Sequence, residues 1–213
     1  MKTSVTIFAS VAVGLLLVSQ GFAEKASALK PKQSKAGTLI IDEKFSESQL
    51  GKNWAIAKGD WSVSNGTIVG KEKEADHHAA VLALNQPNRN SVVQFSFKLD
   101  GAKGFHFSLN HAKGHLFRVA VTEKSLVITK DKDKKDEKSK ALSLANVDTQ
   151  FKPGSWYTML VEMEGDRVEV QIDNGVHAKG SNPELDVEKT GYRFVTMGQS
   201  LELSDLKVWE LQK

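Results

Sequence analysis

Seven polar side chains lie where polar and apolar residues alternate along the sequence. In Val92–Lys98, the apolar residues Val93, Phe95 and Phe97 alternate with polar residues, and in Phe105–Asn110 apolar residues at odd positions alternate with polar residues at even positions. Successive side chains of a β-strand point to opposite faces, so each strand would bury one set and turn the other outward. With two residues of the next strand, the polar set is Gln94, Ser96, His106, Ser108, Asn110, His115 and Arg118.

These side chains carry hydroxyl, amide, imidazole and guanidinium groups, which together donate and accept hydrogen bonds. A concave sheet face with this mixture would match the hydroxyl groups of a sugar, so we predict a carbohydrate or glycan ligand. An alternative remains open, because many polar faces of antiparallel sheets are simply solvated.

The elements that position these residues are predicted to be short antiparallel strands. From Thr38 onward the hydrophobic pattern has period two, and Asn65-Gly66 and Asn174-Gly175 each stand between alternating segments, as expected for type I′ hairpin turns. The glycine-bearing segment Asp100–Gly104 is predicted to be a turn between separate strands. About a dozen strands predict an all-β fold, a two-sheet antiparallel jelly-roll sandwich.

The N-terminus has the pattern of a secretory signal peptide. Lys2 precedes an apolar run from Val5 to Val18, which is shorter than the ~20 residues of a membrane-spanning helix, and small residues follow it. We predict a signal peptide over 1–23, a flexible lysine-rich tether over 24–37 and a folded domain over 38–213. The expected location is secreted or periplasmic, without stable membrane insertion after cleavage.

Composition excludes several classes of function. The 213 residues carry 29 Lys and Arg against 26 Asp and Glu, a formal net charge of +3, and no cysteine. So small a basic excess predicts no nucleic-acid partner, since such binding needs a concentrated basic face. Without cysteine, the chain has no disulfide, thiolate nucleophile or Cys-ligated metal.

Tryptophan and glycine motifs spread along the chain resemble one family. They include Gly59-Asp-Trp61-Ser-Val63, Lys152-Pro-Gly-Ser-Trp156-Tyr157 and Leu203-Ser-Asp-Leu-Lys-Val-Trp209, and the resemblance extends over roughly 40–211. The sequence is similar to the 3-keto-disaccharide hydrolase-like domain, whose fold is that of the concanavalin A-like lectins and glucanases. The resemblance implies a glycan or modified disaccharide as partner and glycoside hydrolysis as an activity, and it assigns no catalytic residue here.

Two other patterns contain the residue types of catalytic or metal-binding motifs. Glucanases of that fold carry Glu-x-Asp-x-Glu on a strand, and Glu184–Glu188 has this spacing, but Asn182-Pro183 precedes it and favours a surface loop. Six histidines are present without a recognisable ligand array, so we predict no metal and no cofactor. The sequence therefore predicts an exported carbohydrate-recognising domain that could hydrolyse glycosides, with a non-catalytic structural or protein-binding adhesion module as the alternative.

Overall fold

A computed structural model describes residues 29–211 of the chain. The predicted signal peptide and the first part of the predicted tether lie outside the described residues. Two short 3-10 turns, Glu74–Asp76 and Pro183–Leu185, interrupt the described chain, and no helix within it is long and apolar enough to cross a membrane. The described strands are β1 Ala36–Glu43, β2 Trp54–Lys58, β3 Asp60–Ser64, β4 Thr67–Lys71, β5 Ala80–Leu84, β6 Ser91–His111, β7 Gly114–Thr122, β8 Ser125–Lys130, β9 Leu142–Asp148, β10 Trp156–Glu164, β11 Arg167–Ile172, β12 His177–Ser181 and β13 Gly191–Leu211.

Two long strands, β6 and β13, pair with each other and bend together. Phe95 and Phe107 both lie on β6, and the chain between them would span ~40 Å if straight. Their ring centroids are only 5.4 Å apart, so the strand turns back over itself. Gly101 on β6 and Gly198 on β13 have φ angles of 92° and 86°, which other residues rarely adopt, and both lie at this bend.

The bend divides the strands into two layers of antiparallel pairs. The back sheet has the order β12-β11-β10-β6-β13-β4-β3, with β1 also paired to β13, and uses residues 91–99 of β6 and 201–211 of β13. The front sheet has the order β2-β5-β13-β6-β7-β8-β9 and uses residues 104–111 of β6 and 191–197 of β13. The predicted all-β jelly-roll fold is therefore confirmed.

The core lies between the two sheets and is rich in phenylalanine. The ring centroids of Phe97 and Phe105 are 4.8 Å apart, and Phe95 meets Phe194 edge to face at 5.1 Å. All four side chains are at most 1% exposed. The apolar residues of the alternating pattern are thus the buried ones, as the sequence predicts. Aromatic rings from the two sheets pack against one another in the core.

The connections differ from the prediction at two places. Asp100–Gly104 is not a turn between strands, because its glycines let β6 bend as one strand that stays paired with β13 on both sides of the bend, with register shifts between Met197 and Ser200. The hairpin at Asn65-Gly66 has positive φ at both residues and is confirmed, whereas at Asn174-Gly175 only the glycine does. There the Gly175 N–H donates to the carbonyl of Ile172, which closes a longer loop in place of a type I′ turn.

Residues 30–34, which we call the N-terminal strap, lie against the outer face of the back sheet. The backbone N–H groups of Lys32, Gln33 and Ser34 donate to the carboxylate of Glu162 at 2.8, 3.1 and 3.0 Å. The Gln171 amide donates to the carbonyl of Lys30 at 3.0 Å. The sequence predicts a flexible tether here. In the structure, the backbone N–H groups of this segment bind the Glu162 carboxylate, an interaction that amino-acid composition does not reveal.

Candidate functional site

A polar cavity of about 230 Å³ opens on the outer face of the front sheet. We call it the front pocket. Its walls come from β5, β6, β7 and β13, from the turn before β5 and from the residue that follows β8. The lining residues are His78, Val81, His106, Ser108, His115, Arg118, Asp131, Arg193 and Val195.

Strand register brings residues from distant parts of the sequence together in this pocket. Ser108 on β6 pairs with Arg193 on β13 and with Arg118 on β7, so the two arginines flank the serine in one row across the sheet. In the next outward-facing row, His106 pairs with Val195. Two arginines and a histidine therefore surround a serine hydroxyl and a small apolar side chain.

Arg118 is held by the carboxylate of Asp131. Its Nε donates to Asp131 Oδ1 at 2.9 Å, and an Nη of the same guanidinium donates to the same oxygen. Asp131 is 5% exposed, and its backbone N–H donates to the carbonyl of Leu116 at 2.8 Å. The ion pair fixes one wall of the pocket, and it uses the only carboxylate among the lining residues.

Arg193 is placed differently, because it has no carboxylate partner among the described residues. Its Nη1 lies 3.3 Å from His115 Nδ1, which in turn lies 3.1 Å from Asn110 Oδ1. One ring nitrogen cannot both donate to the amide oxygen and accept from the guanidinium. In the tautomer whose Nδ1 proton is directed to Asn110, Nδ1 of His115 offers Arg193 no lone pair and Nε2 is the unprotonated nitrogen; in the other tautomer, Nδ1 accepts from Arg193.

The environment of the pocket histidines favours their neutral form. Burial lowers the pKa of His106, and the nearby charge of Arg118 lowers it further. Burial also lowers the pKa of His115, with a further contribution from Arg193. Both imidazoles are therefore neutral near pH 7, and each has one nitrogen that can accept a proton or a hydrogen bond.

This shift predicts how stability depends on pH. When a histidine has a lower pKa in the folded state, the unfolded state takes up the proton at a higher pH than the folded state does. The free energy of unfolding therefore falls as the pH drops below about 6.5. We expect the thermal midpoint of His106→Gln to depend less on pH between 7.5 and 5.5 than that of the wild type. His77→Gln, on an exposed turn, is the matched control and should keep the wild-type slope. An equal slope in His106→Gln would contradict the assignment.

The seven residues predicted from sequence are divided between the two sheets. Four line the front pocket: His106, Ser108, His115 and Arg118. Asn110 lies beside them and bonds to His115. Gln94 and Ser96 belong to the part of β6 that runs in the back sheet, where the Ser96 hydroxyl lies 3.3 Å from that of Thr158. They take no part in the pocket, since the bend of β6 moves them to the opposite layer.

The other pocket residues carry little signal in the sequence. Arg193 is a single polar position between Tyr192 and Phe194, and this pattern marks it as outward-facing without indicating its neighbours. Asp131 opens the charged segment 131–140, whose alternating lysines and acids indicate a solvated loop. His78 belongs to no recognisable ligand array in the sequence, and it reaches the pocket from the turn before β5.

The Glu-x-Asp-x-Glu motif lies in a surface loop, as its flanking residues predict. Glu184 pairs with Lys130 at 2.6 Å, and Arg89 pairs with Asp186 at 2.9 Å and with Glu188 at 3.7 Å. All three carboxylates are thus occupied by cations at the surface, away from the front pocket. Between residues 29 and 211, no three His, Asp or Glu side chains are arranged to hold a metal ion.

Comparison with solved structures shows the same fold in carbohydrate-active proteins. Porphyranase B from Zobellia galactanivorans superposes with a TM-score of 0.63 at 11% identity, covering 82% of this chain and 93% of that one. The carbohydrate binding module CBM66 from Bacillus subtilis gives 0.60 at 13% identity, with 74% and 96% covered. A laminarinase from Flavobacterium sp. UMI-01 gives 0.59 at 11% identity, with 81% and 100% covered. At such low identities, these similarities establish the fold alone.

Comparison of the sequence with known families is more specific. No curated protein matches the sequence. The 3-keto-alpha-glucoside-1,2-lyase-like domain matches over residues 27–196, a range that includes every residue lining the front pocket. This match covers most of the chain, and the protein therefore belongs to the 3-keto-alpha-glucoside-1,2-lyase-like domain family.

Proposed function

We propose that this protein binds one sugar unit of a glycoside in the front pocket. The observation that carries the proposal is the convergence of arginines, histidines and a serine on one confined cavity in a domain of this family. A volume of about 230 Å³ is below the ~300–1,000 Å³ typical of drug-sized ligands, which favours a single ring over a long oligosaccharide.

The residues that line the pocket offer partners for both the hydroxyl groups and the C–H groups of a sugar ring. Ser108 both donates and accepts hydrogen bonds, Arg193 donates, and the neutral histidines accept, so hydroxyl groups would find partners of both kinds. Val81 and Val195 pair across β5 and β13 and provide a small apolar surface for the C–H groups of the ring. This combination of a few polar groups with apolar surface is common in small-molecule sites.

As a second proposal, the protein cleaves its sugar by elimination. The residues that line the pocket favour this reaction over hydrolysis by a pair of carboxyl groups. Hydrolysis usually needs two carboxyl groups about 5–10 Å apart, and Asp131 is the only one among the lining residues. A 3-keto sugar instead has an acidic proton at C2. A neutral His106 or His115 would take that proton, the C–H electrons would form the C1–C2 double bond, and the C1–O bond would break as the departing oxygen takes a proton.

We also propose that the protein is exported before it acts on sugars. The support is the apolar N-terminal run followed by small residues, which predicts a mature chain starting near Glu24. Cell fractionation with N-terminal sequencing tests this: we expect the protein outside the cytoplasm with a start near Glu24, and a protein that stays in the cytoplasm with Met1 at its start would contradict it.

A pair of serine variants on the same strand tests the binding proposal. Ser108→Ala removes a hydroxyl from the pocket, and Ser96→Ala makes the same change on β6 in the other layer. Because one hydrogen bond contributes about 0.5–1.5 kcal/mol, we expect Ser108→Ala to weaken sugar binding about 2–10-fold, with no change in Ser96→Ala. Calorimetric titration with methyl α-glucoside and a 3-keto disaccharide measures this, and ultraviolet absorbance of the conjugated enone product reports elimination.

The outcomes separate the two proposals. Binding without enone formation would leave a sugar-binding domain and reject elimination. Equal losses in Ser108→Ala and Ser96→Ala, or no binding of any glycoside tested, would reject the front pocket as the site.

A further inference from the structure

The charges lining the front pocket do not balance. Arg118 and Arg193 contribute two positive charges, and the carboxylate of Asp131 contributes one negative charge. Asp131 is directed at Arg118 and is almost completely buried, so its charge compensates that arginine. With the histidines neutral, the pocket keeps one unbalanced positive charge, at Arg193.

Arg193 also lacks an anionic hydrogen-bond acceptor among the described residues. Within residues 29–211, the one polar contact of its guanidinium is with Nδ1 of the neutral His115 imidazole, at 3.3 Å. Burial lowers the pKa of the guanidinium, which shows that its charge is partly desolvated without a compensating partner. A charged donor in such a place gains most from an anionic acceptor, since burying a charge costs free energy unless it is paired.

The position of Arg193 places this unpaired donor where a ligand would meet it. It shares a row with Ser108, the pocket serine, and lies on the central strand next to β5 and β6. The lysine-rich loop after β8 adds further positive charge nearby, because Lys134 is close enough to affect the ionisation of His115. Such a field would raise the local concentration of an anionic ligand.

We propose that the sugar unit bound in the front pocket carries an anionic oxygen-rich group, a carboxylate or a sulfate ester, and that Arg193 binds it. The guanidinium fork can donate two parallel hydrogen bonds to such a group, with the Ser108 hydroxyl beside it as a further donor. This inference rests on the proposed function, because it names the class of sugar recognised by the same pocket.

Titration of the full mature chain with three small sugars tests the inference. Methyl α-glucuronide represents the carboxylate, glucose 6-sulfate the sulfate ester, and methyl α-glucoside the neutral sugar. We expect at least one acidic sugar to bind ten-fold or more tightly than the neutral one, with a preference that shrinks as salt concentration rises. The acidic sugar that binds more tightly shows whether the pocket recognises a carboxylate or a sulfate ester.

Variants of the arginine separate recognition from folding. Arg193→Gln should lower the affinity for the acidic sugar at least ten-fold and that for the neutral sugar less than three-fold. Arg193→Lys keeps the positive charge but loses the two parallel donors of the guanidinium, and it should retain part of the preference for the acidic sugar. Retention would show that the loss in Arg193→Gln does not come from unfolding. Arg167→Gln is the matched control on the back sheet, where Arg167 is exposed and pairs with Glu164, and it should change nothing.

Equal affinities for acidic and neutral sugars would overturn this inference and leave the proposed sugar binding intact. Binding of none of the three sugars would overturn both. An acidic preference that persists unchanged in Arg193→Gln would show that another cation recognises the anion, and would reject the role of Arg193.

Discussion

Asp131→Ala is expected to abolish sugar binding in the front pocket and to lower the free energy of unfolding by about 2–3 kcal/mol. The carboxylate is 5% exposed and accepts two hydrogen bonds from Arg118. Removing one partner of a buried ion pair costs about 3–5 kcal/mol, because the other charge is left unpaired. Arg118 is 36% exposed, so water compensates part of that loss.

The loss of binding has a separate cause. Without Asp131, nothing holds the Arg118 guanidinium in place, and repulsion from Arg193, on the other side of Ser108, would move it out of its position in the wall. The wall of the pocket would then lose its fixed geometry. Urea unfolding measures the stability, and calorimetric titration with the best ligand measures the binding.

Two controls keep this prediction specific. Asp133→Ala changes a neighbouring aspartate, whose side chain caps the backbone N–H of Lys135 in the exposed loop, and should cost less than about 1 kcal/mol. Combining Asp131→Ala with Arg118→Met removes both charges and should recover part of the stability without recovering binding. An Asp131→Ala variant with wild-type stability and affinity would show that the ion pair does not shape the pocket.

Glu162→Gln is expected to release the N-terminal strap and to lower the free energy of unfolding by about 2–4 kcal/mol. The Glu162 side chain is fully buried, and its oxygens accept from three consecutive backbone N–H groups and from the Ser34 hydroxyl. Hydrogen bonds to a charged group contribute about 1.5–3 kcal/mol each, which exceeds the ~1–2 kcal/mol per residue needed to order the strap. Glutamine keeps one acceptor oxygen and replaces the other by an NH₂ group, so the donors on one side of the side chain would meet a donor instead of an acceptor, and the negative charge that strengthens the other hydrogen bonds would be lost.

Limited proteolysis gives a direct measure of strap release. Lys32 and Lys35 are trypsin sites in or next to the strap, and we expect the wild type to resist cleavage there while Glu162→Gln is cut rapidly. Glu164→Gln is the matched control, since Glu164 lies on the same strand and pairs with Arg167 at the surface. Equal cleavage rates in all three proteins would mean that Glu162 does not hold the strap.

The sequence predicts which side chains point inward, and much less about where they meet. Alternation assigns Phe95 and Phe107 correctly to the core, because it records which face of a strand is buried. It carries no information about which layer a strand segment occupies. Ser96 and Ser108 therefore look equivalent in sequence, and only the bend of β6 separates them.

Long-range pairing explains why part of the pocket could not be predicted. Arg193 lies beside Ser108 only because β13 pairs with β6 in one particular register. Asp131 follows β8 and turns back toward Arg118, and nothing in its charged neighbourhood distinguishes it from Asp133. The strap was missed for a similar reason, since backbone N–H groups have no signature in the amino-acid composition.

The opposite positions of the strap and the front pocket have a practical consequence. The strap crosses the outer face of the back sheet, whereas the pocket opens on the outer face of the front sheet. A chain that begins at Leu29 and is immobilised through that end would be held by its back sheet, with the pocket directed away from the support. Biosensor measurements should therefore use attachment at that end, since coupling through lysines of the loop after β8, which lies near His115, would instead obstruct the mouth of the pocket.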